Sequence, residues 1–481
     1  MAAGLSFSFD RFALDPQQRR LTRADEPIAL ADRHFDVLHH LVSHAGAVVS
    51  KDALVEAGWG DVAVTDNSLE QAISALRRAL GPGADGASYI DTVPRRGYRF
   101  RGTVTRVVAR ETDAGLEALL APHRAWLEGR AALETLEREQ IGRARDVFET
   151  VLAGMPGQAL PHIGLANACA MQFEMTRTDA VPDAAALAAA AGHAREACRL
   201  DPGSAEGWAT LGFVLDRTGQ HVDALAAMRR AVSLEPDNWR HYFRLSYVSW
   251  GEERLRAARR TLTLLPGFPL AHWMAATVLV ARSRVEEAER ELAAGIAVQD
   301  RQDEHARFSA VALHWLAGLI HLARGDEALA AAAFERELSF ESTGHLYARE
   351  CCANTWYAMG ALRLRQGRAA DATVAFQRAL ERVAAHPLAR LGLAALGGAA
   401  DAVSPPMAGV ERLSVDSAIC GAAAMVLRGA HPEAARLVDD ALAAAPPGSA
   451  GWLLPVEPLL HVTAHPDLWA PALERLRTRS A

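Results

Sequence analysis

The chain has 481 residues, a formal net charge of -7, 50% hydrophobic residues and 23% charged residues. A single hydrophobic core rarely extends beyond about 250 residues, so the length predicts at least two domains, or one domain followed by a repeat array. The hydrophobic content excludes a wholly disordered chain, and the negative net charge excludes nucleic-acid binding by overall attraction, which leaves a local basic patch as the only electrostatic route.

The cysteines and the hydrophobic runs restrict the cellular compartment in which the protein is expected. The five cysteines are too few and too irregularly spaced for a disulfide framework or a CxxC zinc site. The N-terminus shows no signal-peptide pattern, and no stretch approaches 18 uninterrupted apolar residues. We therefore expect a cytoplasmic protein without membrane contact.

The N-terminal region predicts a small sheet followed by three helices. Short alternating runs over residues 5–31, separated by turn signals such as Asp15-Pro16, indicate antiparallel strands. A helix follows from about Asp32 to His44, and Ser50 is placed to cap a second one. The third helix lies in TDNSLEQAISALRRALG, residues 65–81, where leucine and isoleucine recur at helical spacing.

The third helix is amphipathic. Its apolar stripe consists of Leu69, Ile73, Leu76 and Leu80, and its opposite face consists of Asn67, Gln71, Ser74 and Arg78. At 100° per residue the four polar side chains fall within about 60° of each other and point away from the core. The pattern alone predicts either a solvated surface or a binding face.

A second basic feature follows the helices. In YIDTVPRRGYRFRGTV, strand-forming residues flank a tight tip in which Pro94 and Gly97 bracket Arg95 and Arg96. From Pro94 to Arg106 there are five arginines and no acidic residue. This segment is the local basic patch that the neutral charge of the first hundred residues conceals.

From about Pro122 onward the pattern is helical and repetitive. Residues 205–238 match the 34-residue tetratricopeptide pattern at eight positions, namely Trp208, Leu211, Gly212, Leu215, Ala224, Met228, Ala231 and Pro236. Weaker copies lie on both sides, including one with an insertion around Thr176 to Asp183. The spacing predicts seven or eight helical pairs that form a curved superhelix, with small residues where paired helices approach closely.

Three segments of residues 5–102 carry a family resemblance. IALADRHFDVLHHLVSHAGAVVSKDALVEAGWG, NSLEQAISALRRALG and YIDTVPRRGYRF together resemble the winged helix-turn-helix output domain of OmpR/PhoB-type bacterial transcription regulators, and the last is most similar to the ToxR/CadC-like branch. In that family the third helix reads the major groove and the hairpin wing touches the minor groove. The sequence shows neither a receiver domain ahead of this region nor a transmembrane segment behind it, so we expect a different input.

The resemblance implies that the outward face of the third helix and the wing bind DNA. Short polar side chains can exchange hydrogen bonds with base edges, and arginine can reach guanine or phosphate. The predicted DNA-binding residues are Asn67, Ser68, Gln71, Ser74, Arg77, Arg78, Arg95, Arg96 and Arg99. Among them, Arg77 and Arg99 are expected to contact phosphates or to have a structural role rather than to read bases.

The repeat region is similar to the tetratricopeptide arrays behind such domains in some regulators, and it contains one aromatic cluster. In WRHYFRLSYVSW, residues 239–250, the repeat register places five side chains near the concave face: Arg240, Phe243, Arg244, Tyr247 and Trp250. A groove of aromatic rings and arginines suits an extended peptide or an acidic ligand. The alternative is that several of these side chains pack against neighbouring repeats.

The remaining motifs do not indicate a cofactor, metal or catalytic site. GPGADG fits GxGxxG but follows a helix and precedes a strand, the reverse of a dinucleotide-binding context. His40 and His44 lack an evident third metal ligand, and the adjacent Cys351 and Cys352 point in different directions on a helix. No motif of a known catalytic class is present. We therefore expect no enzymatic activity, no cofactor and no metal.

These observations predict a mainly α chain, in which a small α+β winged helix-turn-helix domain (residues 1–105) and a linker (106–121) precede an all-α tetratricopeptide-like superhelix (122–481). The expected function is sequence-specific regulation of transcription through double-stranded DNA. The repeats would bind a protein, a peptide or a small molecule, or mediate self-association as a homodimer. The alternative is a protein-interaction scaffold whose winged helix no longer binds DNA.

Overall fold

The computed structural model describes residues 5–24, 26–60, 66–83, 86–108, 114–301, 310–397 and 414–481. The chain divides into two compact units, Met1–Ala121 and Pro122–Ala481. Across the described ranges, no helix is both long and apolar enough to cross a lipid bilayer.

Eight strands form two antiparallel sheets in the first unit. They are β1 (Leu5–Phe9), β2 (Phe12–Asp15), β3 (Arg20–Arg23), β4 (Glu26–Ile28), β5 (Val48–Val49), β6 (Ile90–Val93), β7 (Gly97–Phe100) and β8 (Thr105–Val108). The larger sheet has the order β4-β3-β2-β1-β8, and the smaller has the order β5-β7-β6. The predicted sheet of residues 5–31 is thus confirmed. Strand β8, which lies mostly within the predicted linker, adds a further antiparallel partner to β1.

Three helices pack between these sheets: α1 (Asp32–Ser43), α2 (Lys51–Trp59) and α3 (Asp66–Leu80). The hydroxyl of Ser50 accepts a hydrogen bond from Ala53 N at 3.2 Å, so the predicted cap of the second helix is confirmed. All four residues of the apolar stripe on α3 are buried and share one core with the aromatic rings of β1, β2 and β7. The opposite face of α3 therefore points outward, as the periodicity predicts.

The hairpin of β6 and β7 forms the wing, whose tip comprises residues 94–97. Gly97 has a φ of 126° and lies against β5, where an added Cβ would come within 1.9 Å of Val49 O. No other residue fits this position without moving the backbone. Arg95 also has a positive φ, 62°, so the tight turn projects its side chain and that of Arg96 into solvent.

The described residues of the second unit are mainly helical, and α4 begins before the division between the units and ends after it. The helices are α4 (Ala114–Glu134), α5 (Arg138–Gly154), α6 (Ala159–Thr176), α7 (Ala184–Leu200), α8 (Ala205–Arg217), α9 (His221–Leu234), α10 (Trp239–Val248), α11 (Gly251–Leu264), α12 (Pro269–Ala281), α13 (Val285–Arg301), α14 (Leu313–Arg324), α15 (Glu327–Leu338), α16 (Ala348–Arg365), α17 (Ala369–Arg382), α18 (Pro387–Leu396), α19 (Val415–Leu427), α20 (His431–Ala444) and α21 (Pro466–Arg479). Sequential packing from α4/α5 to α16/α17, and again at α19/α20, gives eight helical pairs within the described ranges. This tetratricopeptide-like array confirms the predicted fold class.

Small residues set the distance between the paired helices. An added Cβ on Gly212 would lie 2.8 Å from Met228, and one on Gly360 would lie 2.5 Å from the ring of Phe376. Gly318 has the same relation to Phe334. Each of these three pairs thus joins a glycine on its first helix with a large side chain on its second, which explains the spacing seen in the sequence.

The C-terminal part of the chain crosses the inner helices of the array. We call residues 446–465, between α20 and α21, the crossing segment. Its Trp452 ring packs edge-on against Trp273 of α12 and Trp315 of α14, with centroids 6.1 and 6.5 Å apart. Farther along, Thr463 donates a hydrogen bond of 2.7 Å to Ala323 O. Helices α12 and α14 are therefore buried on nearly all sides, which fits their predominantly apolar sequences.

A second set of contacts joins the beginning of the array to α16. Leu346 N donates to Leu136 O at 2.8 Å. The insertion between α6 and α7 also reaches this region, where Arg349 pairs with Asp179 at 2.5 Å and donates to Thr178. The sequence left open either a concave groove or packing between repeats in this part of the array, and the structure brings distant repeats into contact across it.

Candidate functional site

The outward face of α3 presents a row of polar side chains. Gln71, Ser74 and Arg78 are exposed, and Ser68 is half-buried. Asn67 lies in the first turn of α3, but its side chain is outside the described residues. Exposed amide, hydroxyl and guanidinium groups spaced along one helix face are suited to hydrogen bonding with base edges and phosphates.

Arg77, one residue before Arg78, is used within the domain. Its guanidinium Nε and a terminal nitrogen donate to Ile90 O at 3.0 and 2.8 Å, and the same terminal nitrogen donates to Thr92 Oγ1 at 2.9 Å. Arg77 thereby ties α3 to β6, the first strand of the wing. The geometry supports the structural role that was one of the two expected for this residue.

The five arginines of the wing region differ in their partners. Arg95 and Arg96 at the tip are exposed, and within the part of the chain that the structure describes neither forms an ion pair. Arg99 and Arg101 pair with Asp91 at 3.1 and 3.7 Å. The basic patch predicted from the absence of acids between residues 94 and 106 is thus partly neutralised by an aspartate on the neighbouring strand.

The last arginine of the patch also has a partner, because Arg106 donates to Ser43 O at 3.1 Å. The charge that remains available lies at the wing tip and on the outer face of α3. Arg78, Arg95 and Arg96 are the three arginines of these surfaces that make no ion pair with a described residue. The cationic hairpin tip is linked through Arg77 to the polar face of the helix. Such a surface can bind the phosphate backbone of a nucleic acid with the tip while the helix contacts base edges in a groove.

Comparison with known proteins identifies this domain. Residues 25–100 match the family described as "Transcriptional regulatory protein, C terminal". The N-terminal domain belongs to the OmpR/PhoB-type regulators. The winged-helix domain is 37% identical over 101 residues to the transcriptional regulator HilA of Salmonella typhimurium, an alignment that covers 21% of this chain and 18% of HilA.

Two further relatives extend the comparison. The phosphate regulon transcriptional regulatory protein PhoB of Escherichia coli is 35% identical over 89 residues, which cover 18% of this chain and 38% of PhoB. The DNA-binding domain of Klebsiella pneumoniae RstA, solved in complex with the RstA box, is 35% identical and aligns with 20% of this chain and 96% of that domain, with a TM-score of 0.18. The chain spans less than two fifths of the length of HilA and PhoB, so the comparison concerns the winged-helix domain alone.

The five groove residues predicted in the repeat array do not form one open surface. Arg240 pairs with Glu134 at 3.0 Å, and Arg244 pairs with Glu206 at 3.1 Å. Trp250 is half-buried, with the Arg254 guanidinium 4.7 Å from its ring centroid. Phe243 and Tyr247 instead line a partly open cavity of about 270 Å³. Arg240, Arg244 and Trp250 therefore fit the alternative stated for this cluster, which is packing within the array.

A buried charge network lies beside Tyr247. The carboxylate of Glu174 on α6 contacts Arg217 of α8 at 2.5 Å and Arg177 at 3.0 Å, and Arg177 also pairs with Glu350. Burial alone would lower the pKa of Arg217, but the neighbouring Glu174 carboxylate raises it above its usual value. These charges compensate one another within the array, because an isolated buried charge would be strongly unfavourable.

The residues considered for metal or thiol chemistry show no such arrangement. The rings of His40 and His44 stack 4.5 Å apart, and within the described ranges no three histidine, cysteine or acidic side chains are grouped for a metal ion. Burial raises the pKa of the Cys351 thiol well above its usual value, and that of Cys352 to about 12. Both thiols are therefore protonated at neutral pH, which disfavours a nucleophilic role. The motif GPGADG lies partly outside the described residues.

Sequence reasoning missed most of the residues around the cavity. Trp273 and Trp315 line it from α12 and α14, and each follows a histidine in the related segments AHWMA and LHWLA. The His-Trp dipeptide recurs in α12 and α14, the first helices of two successive pairs, and this recurrence was a sequence signal for the aromatic wall of the cavity. The contribution of Trp452 from the crossing segment had no comparable signal.

Proposed function

We propose that the protein is a cytosolic transcription regulator whose winged-helix domain binds double-stranded DNA in a sequence-specific manner. In this proposal α3 lies in the major groove, where Gln71, Ser74 and Arg78 contact base edges or phosphates. Arg95 and Arg96 enter the adjacent minor groove or contact its phosphates. Asn67 and Ser68 lie at the end of the same face, while Arg77 and Arg99 hold the wing and helix in place.

The observation that carries this proposal is the division of the arginines. Those that connect α3 and the wing have intramolecular partners, whereas those that face outward have none among the described residues. Three cations without carboxylate partners on these two elements suit the phosphate backbone of DNA. The family match over residues 25–100 supports the same reading.

The repeat domain, proposed to comprise residues 122–481 after a linker at 106–121, would bind a partner molecule and adjust DNA binding. Residues 1–106 contain 13 basic and 13 acidic residues, so a single copy should bind DNA weakly and with modest salt dependence. We therefore propose that two copies occupy paired half-sites, with self-association supplying the additional affinity.

The test is selection from a random duplex library with the full-length protein, in parallel with its Gln71→Ala variant. We expect an enriched motif composed of two half-sites for the wild type. For the variant we expect a changed preference at one or two positions per half-site, because a lost bidentate contact reduces base discrimination by roughly 1–3 kcal/mol.

Ser8→Ala, on a strand of the other sheet, is the control and should select the wild-type motif. Absence of any enriched sequence at low salt would contradict the proposed DNA-binding function and favour the scaffold alternative. An unchanged motif with Gln71→Ala would contradict the proposed reading face, and a motif with a single half-site would contradict the paired binding.

A further inference from the structure

The repeat array contains a partly open cavity whose walls come from widely separated parts of the chain. Its volume is about 270 Å³, and its lining extends from Arg177 to Leu453. At about 30 Å³ per water molecule, this is the volume of about nine waters.

Aromatic side chains dominate the lining. Six rings surround the space: Phe243, Tyr247, Trp273, Trp315, Tyr347 and Trp452. Aromatic residues make up 6% of the chain, so six at one cavity is a strong local concentration. Largely apolar cavities with aromatic walls and a few polar groups are typical of small-molecule sites, and planar rings favour a planar ligand that stacks on them or meets them edge-on.

The charge balance of the walls restricts the ligand further. The two charged side chains in the lining, Arg177 and Glu350, are paired with each other. Burial raises the pKa of Tyr247, and raises those of Tyr347 and the Cys351 thiol well above their usual values, so these three groups are uncharged at neutral pH. A charged ligand would lose its hydration here without gaining an opposite charge.

The lining also contains polar side chains, among them Arg177 and Asn354. Arg177 pairs with Glu350, which lies one helical turn before Asn354 on α16, so these groups are on the same side of the cavity. Asn354 Oδ1 lies 3.2 Å from His386 Nε2, which fixes the orientation of the amide in the wall. A ligand with a hydrogen-bonding oxygen at one end can contact these groups while its ring system occupies the aromatic part.

From these features we propose that the cavity binds a neutral, planar, mostly apolar small molecule that carries a hydrogen-bond acceptor at one edge. This inference rests on the proposed role of the repeat domain in binding a partner molecule, and it replaces the extended peptide expected from the sequence with a compact ligand. Because α10, α12, α14, α16 and the crossing segment all contribute to the walls, the bound molecule would hold distant repeats together.

The test uses the full-length protein and three probes of similar size, namely coumarin (neutral, with a carbonyl oxygen), 1-naphthoate (anionic) and benzyltrimethylammonium (cationic). Binding is measured by isothermal titration calorimetry, supported by quenching of tryptophan fluorescence, since three of the lining residues are tryptophans. We expect coumarin to bind, with the two charged probes at least about tenfold weaker.

Cys351→Phe places a ring in the cavity and should weaken coumarin binding about tenfold or more. Cys420→Phe is the matched control, because Cys420 is also half-buried but does not line the cavity, and it should bind coumarin like the wild type. If Cys351→Phe does not fold, Trp452→Ala removes one wall and should weaken binding several-fold, whereas Trp208→Ala, a half-buried tryptophan elsewhere in the array, should not.

Three results would overturn the inference: no coumarin binding to the wild type, equal binding to the cavity variants and their controls, or tighter binding of a charged probe. The library selection reports DNA binding independently of these titrations. A failure of the cavity proposal is therefore distinguishable from a failure of the proposed DNA-binding function, and a change in DNA affinity on adding coumarin would measure the coupling of the two.

Discussion

The two units use arginine in opposite ways. On the winged-helix domain, Arg78, Arg95 and Arg96 are exposed and have no ion-pair partner among the described residues. In the repeat domain, Arg177 and Arg217 are buried to two thirds or more and lie against carboxylates. The same side chain is thus available to a polyanion in one unit and holds neighbouring helices together in the other.

This difference separates the arginines expected to affect DNA affinity from those expected to affect the stability of the fold. Removing an uncompensated surface arginine should change binding and leave the fold intact, because water solvates the charge in the free protein. Removing a member of a buried pair leaves the other charge without compensation and should destabilise the array. Substitutions in each unit test this distinction.

The largest effect is expected for Glu174→Ala. Its side chain is 1% exposed and contacts two arginines, so its loss should reduce the free energy of unfolding by about 4 kcal/mol. Urea unfolding of the full chain, followed by tryptophan fluorescence, measures this, because nine of the ten tryptophans lie beyond residue 121. Glu433→Ala, which removes a partner of the exposed Arg436, is the control and should stay within about 0.5 kcal/mol. Equal losses in the two variants would refute the comparison.

The next effect concerns a buried carboxyl whose partner is a phenol rather than a cation. Glu457 of the crossing segment accepts hydrogen bonds from the hydroxyl of Tyr357 and from Leu459 N. Burial raises its pKa from 4.5 to about 7, although these hydrogen bonds favour the charged form. This carboxyl therefore makes the stability of the array depend on pH.

The direction of the pH dependence follows from the direction of the pKa shift of Glu457. Because the folded state holds the proton more tightly, the stabilisation from Glu457 is complete below about pH 4.5 and is lost as the pH rises through about 7. We expect wild-type stability to fall by roughly 3 kcal/mol across this window relative to Glu457→Gln. Urea midpoints of both proteins at pH 5, 6, 7 and 8 measure the difference, and parallel curves would contradict the assignment.

Local patterns explain what could be predicted from the sequence. The stripe from Leu69 to Leu80, the cap at Ser50 and the glycine positions of the repeats each depend on residues within one helix or one helical pair. The order of the winged-helix elements is carried by motifs in a single continuous stretch. These parts of the fold and the outward face of α3 followed from spacing alone.

The features that could not be predicted depend on distant residues. Arg177 meets Glu350 173 positions away, and Arg240 meets Glu134 across 106 positions. Trp452 reaches the aromatic wall from a segment that lacks the repeat pattern. A single sequence does not show which repeats approach each other, so it left open whether Arg240 and Arg244 face a groove or pack against neighbouring repeats, and the structure has internal ion pairs there.

The smallest effect provides the closest comparison, since it concerns two adjacent arginines on α3. Arg78→Ala should weaken binding to all duplex sequences similarly and reduce the slope of log affinity against log salt by about one, because one phosphate contact is lost. Arg77→Ala should leave that slope nearly unchanged. It should instead lower the stability of the winged-helix domain, because the guanidinium no longer joins α3 to Ile90 and Thr92.

Fluorescence anisotropy of a selected duplex at several salt concentrations measures the slopes, and amide hydrogen exchange of residues 66–100 reports the local stability. If Arg78 reads a guanine, its alanine variant will also lose preference at one position, which distinguishes a base contact from a phosphate contact. A reduced slope for Arg77→Ala with unchanged exchange would assign the phosphate contact to Arg77 and reverse the division of roles. The hydrogen bonds to β6 would then be released when DNA binds.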